Sequence, residues 1–237
     1  SAPIAITKGK GALLWDENDK EYIDAIASWW VNPYGHSNTY IADAIYKQLT
    51  TLEHVLFGGF THEPAVVLAE KLMAILPKNQ QKLFFSDNGS TAVEVAIKVA
   101  LQYFFNKGEK KTTIIAFENA FHGDTFAAMA ASGISFYTLA FQSMMIDVVR
   151  IPVPVVGQEE VSFDALAEVL KNHNCAGFIY EPLVQGAAGM VMYEPATLDT
   201  LIRMCKENNV LTIADEVMTG FGKTGKTFAS DYLVEQP

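Results

Sequence analysis

From Lys82 to Asp215, short runs rich in Val, Ile and Phe take turns with longer amphipathic stretches, and this alternation leaves very few possible architectures. KLFFSD (82–87), TTIIAF (112–117), IDVVRIP (146–152), AGFIYEP (176–182) and VLTIAD (210–215) read as strands. Helical periodicity follows Asn88 and recurs in SFDALAEVLKNH (162–173) and PATLDTLIRMCKENN (195–209). Strands that are apolar on both sides leave no face for water, so they need cover above and below. The pattern therefore predicts an α/β fold, a mostly parallel sheet flanked by helices. In the first helix Val93, Ile97, Ala100, Leu101 and Phe104 share a face, and Gly108 lies just past its end. Thr91 with Glu94 three residues on is expected to form its capping box.

Ahead of this region ALLWD, the turn Glu17–Lys20 and EYIDA predict a hairpin. An aromatic loop, SWWVNPYGHSN (28–38), leads to a helix from Tyr40 to about Glu53, and a second helix spans Glu63–Ile75, stopped by Pro77. The formal charge of −10 over 237 residues argues against a nucleic-acid binder, which needs clustered Lys and Arg. Cys175 and Cys205 read as free core thiols of a reducing cytosol. SAPIAITKGKG carries no apolar segment of a secretory signal. Thr125–Ile146 is uncharged over 22 residues but has few large aliphatics, so it is expected to be a buried small-residue segment and not a membrane helix.

Polar groups stand where the apolar runs finish: Ser86-Asp87, Glu118, Glu181 and Asp215. In an open α/β sheet ligands sit outside the carboxyl ends of the strands, so these groups are expected to line one crevice. Asn88-Gly89-Ser90-Thr91 lies between a strand and a helix, where free amides and the helix dipole favour an anion. The run Gly220–Thr227 matches the nucleotide-binding pattern G-x-x-x-x-G-K-T. Three facts oppose that reading. Five residues, Glu216 to Gly220, separate the strand from the glycine run, the acidic strand end precedes it, and only ten residues follow Thr227. Lys223 and Lys226 are then solvated loop lysines.

The motifs SWWVNPYGHSN, HVLFGGFTHEPA (54–65), DNGSTAVEVAIKVALQY (87–103), FHGDTFAAM (121–129), EPLVQGAAGM (181–190) and ADEVMTGFGKTG (214–225) together resemble the class III (ω-type) aminotransferases. These are fold-type I enzymes that use pyridoxal phosphate. The paired Trp29-Trp30 and HVLFGGFTHEP draw the resemblance towards members acting in biotin biosynthesis. It implies that residues 1–37 are a piece of a small domain and that 38–237 belong to the cofactor-binding major domain.

The resemblance also assigns roles. Asp215 would be the catalytic carboxylate that keeps the pyridine nitrogen protonated, which makes the ring an electron sink. Gly89 and Ser90 would bind the cofactor phosphate. Phe121 and Val217 would press on the two ring faces, His122, Gly123 and Asp124 would shape that corner, and Glu181 would sit near the ring hydroxyl. Trp29, Trp30 and Phe121 would line the substrate pocket. Related biotin enzymes commonly carry Tyr where Phe121 stands. The Schiff-base lysine, expected roughly thirty residues beyond the aspartate, is not within these 237 residues, so the piece by itself is expected to be inactive. The implied reaction is ping-pong transamination of 8-amino-7-oxononanoate to 7,8-diaminononanoate with S-adenosylmethionine as amino donor, in a cytoplasmic homodimer without metal. Another ω-aminotransferase, or a non-catalytic cofactor-binding fragment, stays open as an alternative.

Overall fold

The structure, a computed structural model, describes residues 2–133 and 136–237. Two compact units divide at Leu72–Met73. In the first, β1 (Ile6–Lys10), β2 (Leu13–Asp16) and β3 (Glu21–Ile23) form an antiparallel meander. The expected hairpin is its second half, with Leu14 opposite Tyr22. Asp16 builds the turn: its Oδ1 accepts from the amides of Asn18 (2.9 Å) and Lys20 (3.0 Å), replacing backbone partners that a tight turn cannot supply.

A single turn, α1 (Ala27–Trp30), follows, and it winds left-handedly. Next comes α2 (Thr39–Leu49), capped by Asn38, whose Oδ1 accepts from the Ile41 amide at 3.2 Å. It stops short of the expected Glu53. Thr50 and Thr51 turn their hydroxyls back onto the carbonyls of Tyr46 (3.1 Å) and Lys47 (2.9 Å), satisfying the last turn and ending the helix. The helix α3 (Glu63–Ile75) has the bounds expected from its sequence, and the division between the units falls within it.

The second unit holds α4 (Gly89–Asn106), β4 (Thr113–Phe117), α5 (Phe126–Ala131), β5 (Val148–Ile151), α6 (Glu159–Asn172), β6 (Cys175–Tyr180), the small hairpin β7 (Val184–Gln185) and β8 (Val191–Met192), α7 (Pro195–Glu207) and β9 (Leu211–Ala214). Its main sheet runs β5-β4-β6-β9, and every pairing in it is parallel. Side chains of period 2 split between two cores. Ile115, Phe117, Phe178 and Tyr180 pack with Leu166 of α6 and Leu198, Leu201 and Ile202 of α7. On the opposite face Ile114, Ala116 and Ile179 meet Val93, Ile97 and Phe104 of α4 and the alanines of α5. This is the doubly covered parallel sheet that the alternation predicts.

Three expectations fail. KLFFSD is not a strand: it is irregular, and Phe84 stays 73% exposed. An extended segment joins a sheet only by bonding to a neighbour, and among the described residues no strand pairs with it. A cleft of about 540 Å³, lined among others by Lys82, Phe84, Val99, Leu211 and Ile213, lies between this segment and β9.

The capping box of α4 is Asn88 with Thr91, each side chain accepting from the other's amide at 3.0 and 3.3 Å. Glu94 is spent elsewhere. Its Oε2 accepts from the Thr125 hydroxyl (2.7 Å) and the Ala127 (2.9 Å) and Ala128 (3.3 Å) amides, so it caps α5 instead.

The third concerns Thr125–Ile146, whose described buried residues, Thr138 apart, lie in its first part. The alanines of α5 and Ser132 are inside, whereas Phe136, Tyr137, Leu139 and Met144 are exposed along the turn and 3-10 helix that follow. Small alanines let α5 sit close to the sheet, while the later aromatics find no such slot. Ile134 and Ser135, part of the same expectation, lie outside the described residues. Among the described residues no helix is long and apolar enough to cross a membrane.

Candidate active site

Three of the four polar strand ends do fall at carboxyl ends of adjacent parallel strands: Glu118 after β4, Glu181 after β6 and Asp215 after β9. The Glu181 carboxylate sits in the turn beyond β6, only 6% exposed. It accepts from the Phe121 amide through Oε1 (3.0 Å) and from the Gly186 amide through Oε2 (2.9 Å). Burial pushes its carboxyl above the usual range, and the two amides offset this only in part. The Tyr193 hydroxyl donates to its main-chain carbonyl, fixing the turn from below.

Asp215 is held at both oxygens. His122 Nδ1 lies 2.7 Å from Oδ2, and the Val217 amide donates to Oδ1 at 3.1 Å. Both side chains of the pair are shielded, at 0% exposure for His122 and 6% for Asp215. A proton on Nδ1 satisfies this contact and leaves Nε2, which is buried without a hydrogen-bond partner. The His122 amide in turn donates to Ser132 Oγ (2.9 Å), which donates to the Ala128 carbonyl (2.9 Å). The imidazole is thus clamped by α5 on its backbone side and by Asp215 on its ring side.

The first turn of α4 is joined to the same corner. Asp124 donates its amide to Ser90 Oγ at 3.1 Å, and the Thr125 hydroxyl, whose single proton is directed mainly at Glu94, shares it with the Ser90 carbonyl at 3.2 Å. Gly123 makes this clasp possible. Its φ is +124°, and a Cβ there would lie 2.2 Å from Ser90 Oγ and 2.7 Å from Ser90 Cα. On the other flank a Cβ on Gly89 would meet Val217 Cγ2 at 3.2 Å. A helix N-terminus with amides lacking intrahelical acceptors therefore stands beside the loop that carries Asp215.

Gly89, Ser90, Phe121, His122, Glu181, Asp215 and Val217 all lie in this unit, linked by the bonds and contacts just described. Trp29 and Trp30 belong to the first unit, where their rings lie 5.4 Å apart at 49°. Glu94 and Ser132 were not expected here. Both act through tertiary bonds across 31 and 10 residues, for which no local pattern exists. Among the described residues no group of His, Cys, Asp or Glu could hold a metal ion.

The Gly-Lys-Thr run forms no phosphate cradle. It does not open an α-helix among the described residues, Lys226 Nζ donates to the Asp231 carbonyl (2.7 Å), and its ammonium lies 4.3 Å from the centre of the Tyr232 ring. Glu216, which a magnesium site would need, accepts from the Ala229 and Ser230 amides at 2.7 and 2.9 Å. Lys223 and Lys226 are exposed loop lysines, as expected.

A parallel sheet with an aspartate and a glutamate at adjacent strand ends, faced by a glycine-opened helix, is the arrangement in which α/β folds bind small ligands. The family model for class-III aminotransferases matches residues 1–237, and the chain belongs to that family. As a class these enzymes depend on pyridoxal phosphate. The chain is 45% identical to the adenosylmethionine-8-amino-7-oxononanoate aminotransferase of Synechococcus elongatus, covering 99% of this chain and 57% of that one. With the enzyme of the same name from Staphylococcus aureus it shares 38% identity, covering 99% and 55%.

Among solved structures, that of the same-named enzyme from Methanocaldococcus jannaschii superposes with a TM-score of 0.91 at 34% identity, covering 98% of this chain and 53% of that one. An omega transaminase from Pseudomonas jessenii in complex with PMP gives 0.91 at 30% identity, covering 99% and 55%. The chain spans a little over half the length of these relatives.

Proposed function

We propose that this chain is the part of an aminotransferase that seats pyridoxal phosphate, and that the complete protein transfers an amino group from S-adenosylmethionine to 8-amino-7-oxononanoate. The observation that carries the reading is Asp215, shielded and fixed through both oxygens beside a helix N-terminus. The residues present fit the group. Gly123 lets the Asp124 amide close on Ser90 Oγ without a clash, and the first-turn amides with Ser90 suit a phosphate dianion. When bound, the cofactor supplies an electron sink for the carbanion formed at the substrate carbon.

The chain's own contribution is positioning and charge. A carboxylate offers about four lone-pair sites, and two are taken by His122 and Val217, so Asp215 retains capacity for one cationic N–H donor. His122 keeps the carboxylate from rotating. Glu181, bonded to the Phe121 amide, fixes the backbone from which the Phe121 ring projects, and that ring and Val217 would flank the cofactor plane. Trp29 and Trp30, within the N-terminal piece of a small domain (residues 1–37), would wall off the aliphatic acceptor. The lysine that carries the cofactor would come from the part of the relatives' length that this chain does not span. Exposed Tyr40, Ile45, Tyr46 and Leu49 on α2 support a homodimer, since apolar surface of this kind is otherwise left in water.

Titrating pyridoxal phosphate into the protein and following its absorption tests the reading. Asp215→Asn is expected to weaken binding at least about 10-fold, because a neutral amide loses the charge-assisted bond. Equal affinity in the two proteins would refute it. In the complete enzyme the same substitution is expected to abolish turnover.

A further inference from the structure

Among the described residues the least ordinary backbone is that of α1. Ala27, Ser28, Trp29 and Trp30 have φ of 49°, 47°, 64° and 67°, and none is glycine. Single residues visit this region routinely only as Gly, Asn or Asp, and four in a row make a left-handed turn that local preferences oppose. Such strain persists only where the surroundings over-determine it. The agent is Asp24. Its Oδ1 accepts from the Ser28 amide at 2.9 Å and its Oδ2 from the Ser28 hydroxyl at 2.7 Å, so one carboxylate grips the second residue of the turn at two points. His36 Nε2 meets the same Oδ2 at 2.7 Å.

Both partners are tied to the turn between β1 and β2. Asp24 donates its amide to the Ala12 carbonyl (2.9 Å), and His36 exchanges main-chain bonds with Gly11 (2.9 and 3.1 Å). The bonds from Ser28 and then His36 hold the Asp24 carboxyl at about 2, so it remains an acceptor under all ordinary conditions. At the end of the grip two consecutive indoles lie 5.4 Å apart and tilted by 49°, with Trp29 62% exposed.

We propose that Asp24, through Ser28 and His36, is a specificity-positioning residue that holds the left-handed turn and thereby orients Trp29 and Trp30 for the substrate's aliphatic chain. An adjacent pair of indoles on a relaxed turn would sample several rotamers, and a wall for a long acyl chain needs one. The inference rests on the reading that the two tryptophans line the substrate pocket.

The test uses the complete enzyme and two readouts. The first is the circular-dichroism couplet of the coupled indoles, and the second is KM against kcat for 8-amino-7-oxononanoate. Asp24→Asn is expected to cut the couplet to less than about half and to raise KM about 10-fold, with kcat changed less than about twofold. Ser28→Ala, which keeps the amide bond and loses only the hydroxyl, is expected to show a smaller change of the same kind and serves if Asp24→Asn does not fold. An unchanged couplet in both variants, or a lost couplet with unchanged KM, overturns the proposal. Trp29→Ala separates the two levels: if it leaves KM unaltered, the pocket reading itself is wrong and this inference falls with it. If it raises KM while Asp24→Asn does not, only the positioning role fails.

Discussion

Gly123→Ala, compared with Gly108→Ala, isolates how much of the corner depends on close approach. Both glycines have positive φ, +124° and +73°. Gly108 ends α4 in a Schellman arrangement, with the Glu109 amide on the Phe104 carbonyl at 2.9 Å and its own amide on Phe105 at 3.0 Å. A Cβ there meets nothing within 4 Å, so alanine costs only the backbone penalty, about 1 kcal/mol. At Gly123 the backbone lies further from any L-residue minimum, which costs about 1–3 kcal/mol. Its Cβ also overlaps Ser90 Oγ and Cα, and the second of these is helix backbone that cannot rotate away. Overpacking of that kind adds about 1–3 kcal/mol.

Together the expectation is about 4 kcal/mol at Gly123 against about 1 at Gly108. For a chain of this size that corresponds to a fall in Tm of about 8–16 °C and about 2–4 °C. Urea and thermal unfolding of the three proteins measure the difference. Pyridoxal phosphate titration of the folded fraction should show loss of affinity in Gly123→Ala alone, since only that change pushes the Asp124 amide off Ser90. Equal destabilisation by the two substitutions would refute the steric argument.

Glu181 gives a pH dependence of known sign. Its carboxyl is raised in the folded state, so the folded protein holds its proton more tightly than the unfolded chain does, and stability is lost as pH climbs from about 4.5 through the folded value. Glu181→Gln removes that loss. Urea midpoints at about pH 4 and about pH 8 should therefore show the variant gaining on the wild type with rising pH, and a gain that shrinks would contradict the assignment. The thiols of Cys175 and Cys205, pushed up by burial to about 11 and about 12, should stay unreactive towards a disulfide reagent until the protein unfolds. Rapid labelling of the native protein would show the core to be open. Lys226→Ala should cost about 0.5–1 kcal/mol, through loss of the Tyr232 contact, and calorimetry should find no ATP binding before or after the change. Nucleotide binding lost with Lys226 would revive the phosphate-loop reading.

What the sequence made legible was whatever is carried by a repeat along the chain. The bounds of α3 follow from the 3.6 period and the proline beyond it, and the strands β4, β6 and β9, with Glu181 and Asp215 at strand ends, follow from continuous apolar runs and where those runs stop. What stayed hidden depended on a partner distant in sequence. Glu94 stands where a capping box for Thr91 predicts it, yet Asn88 already caps the helix, and the freed carboxylate finds α5 across the fold. KLFFSD has the apolar run and composition of a strand, but strand identity belongs to a pair. The left-handed turn of α1 is invisible for the same reason: nothing in Ala-Ser-Trp-Trp favours positive φ, and the force that imposes it comes from Asp24 and its anchors on the meander.

The Gly-Lys-Thr run shows why the pattern with more matching letters lost to the plainer one. A phosphate site needs polar groups whose bonding capacity is unspent. Between Glu216 and Tyr232 that capacity is consumed internally: Glu216 caps the turn at Ala229, Lys226 bonds Asp231, and the Tyr232 hydroxyl donates to the Thr224 carbonyl at 2.7 Å. The buried hydroxyls of Thr219 and Thr224 lack partners, but the carboxylate and the lysine that a phosphate–magnesium site would need are both engaged within the loop. At the start of α4 the balance is opposite. Asn88 and Thr91 satisfy each other, Asp124 and Thr125 hold Ser90 in place, and the helix's leading amides point outward, next to a carboxylate with lone pairs to spare. Unspent bonding capacity, concentrated where Val217 meets Gly89, is what distinguishes the site from its imitation.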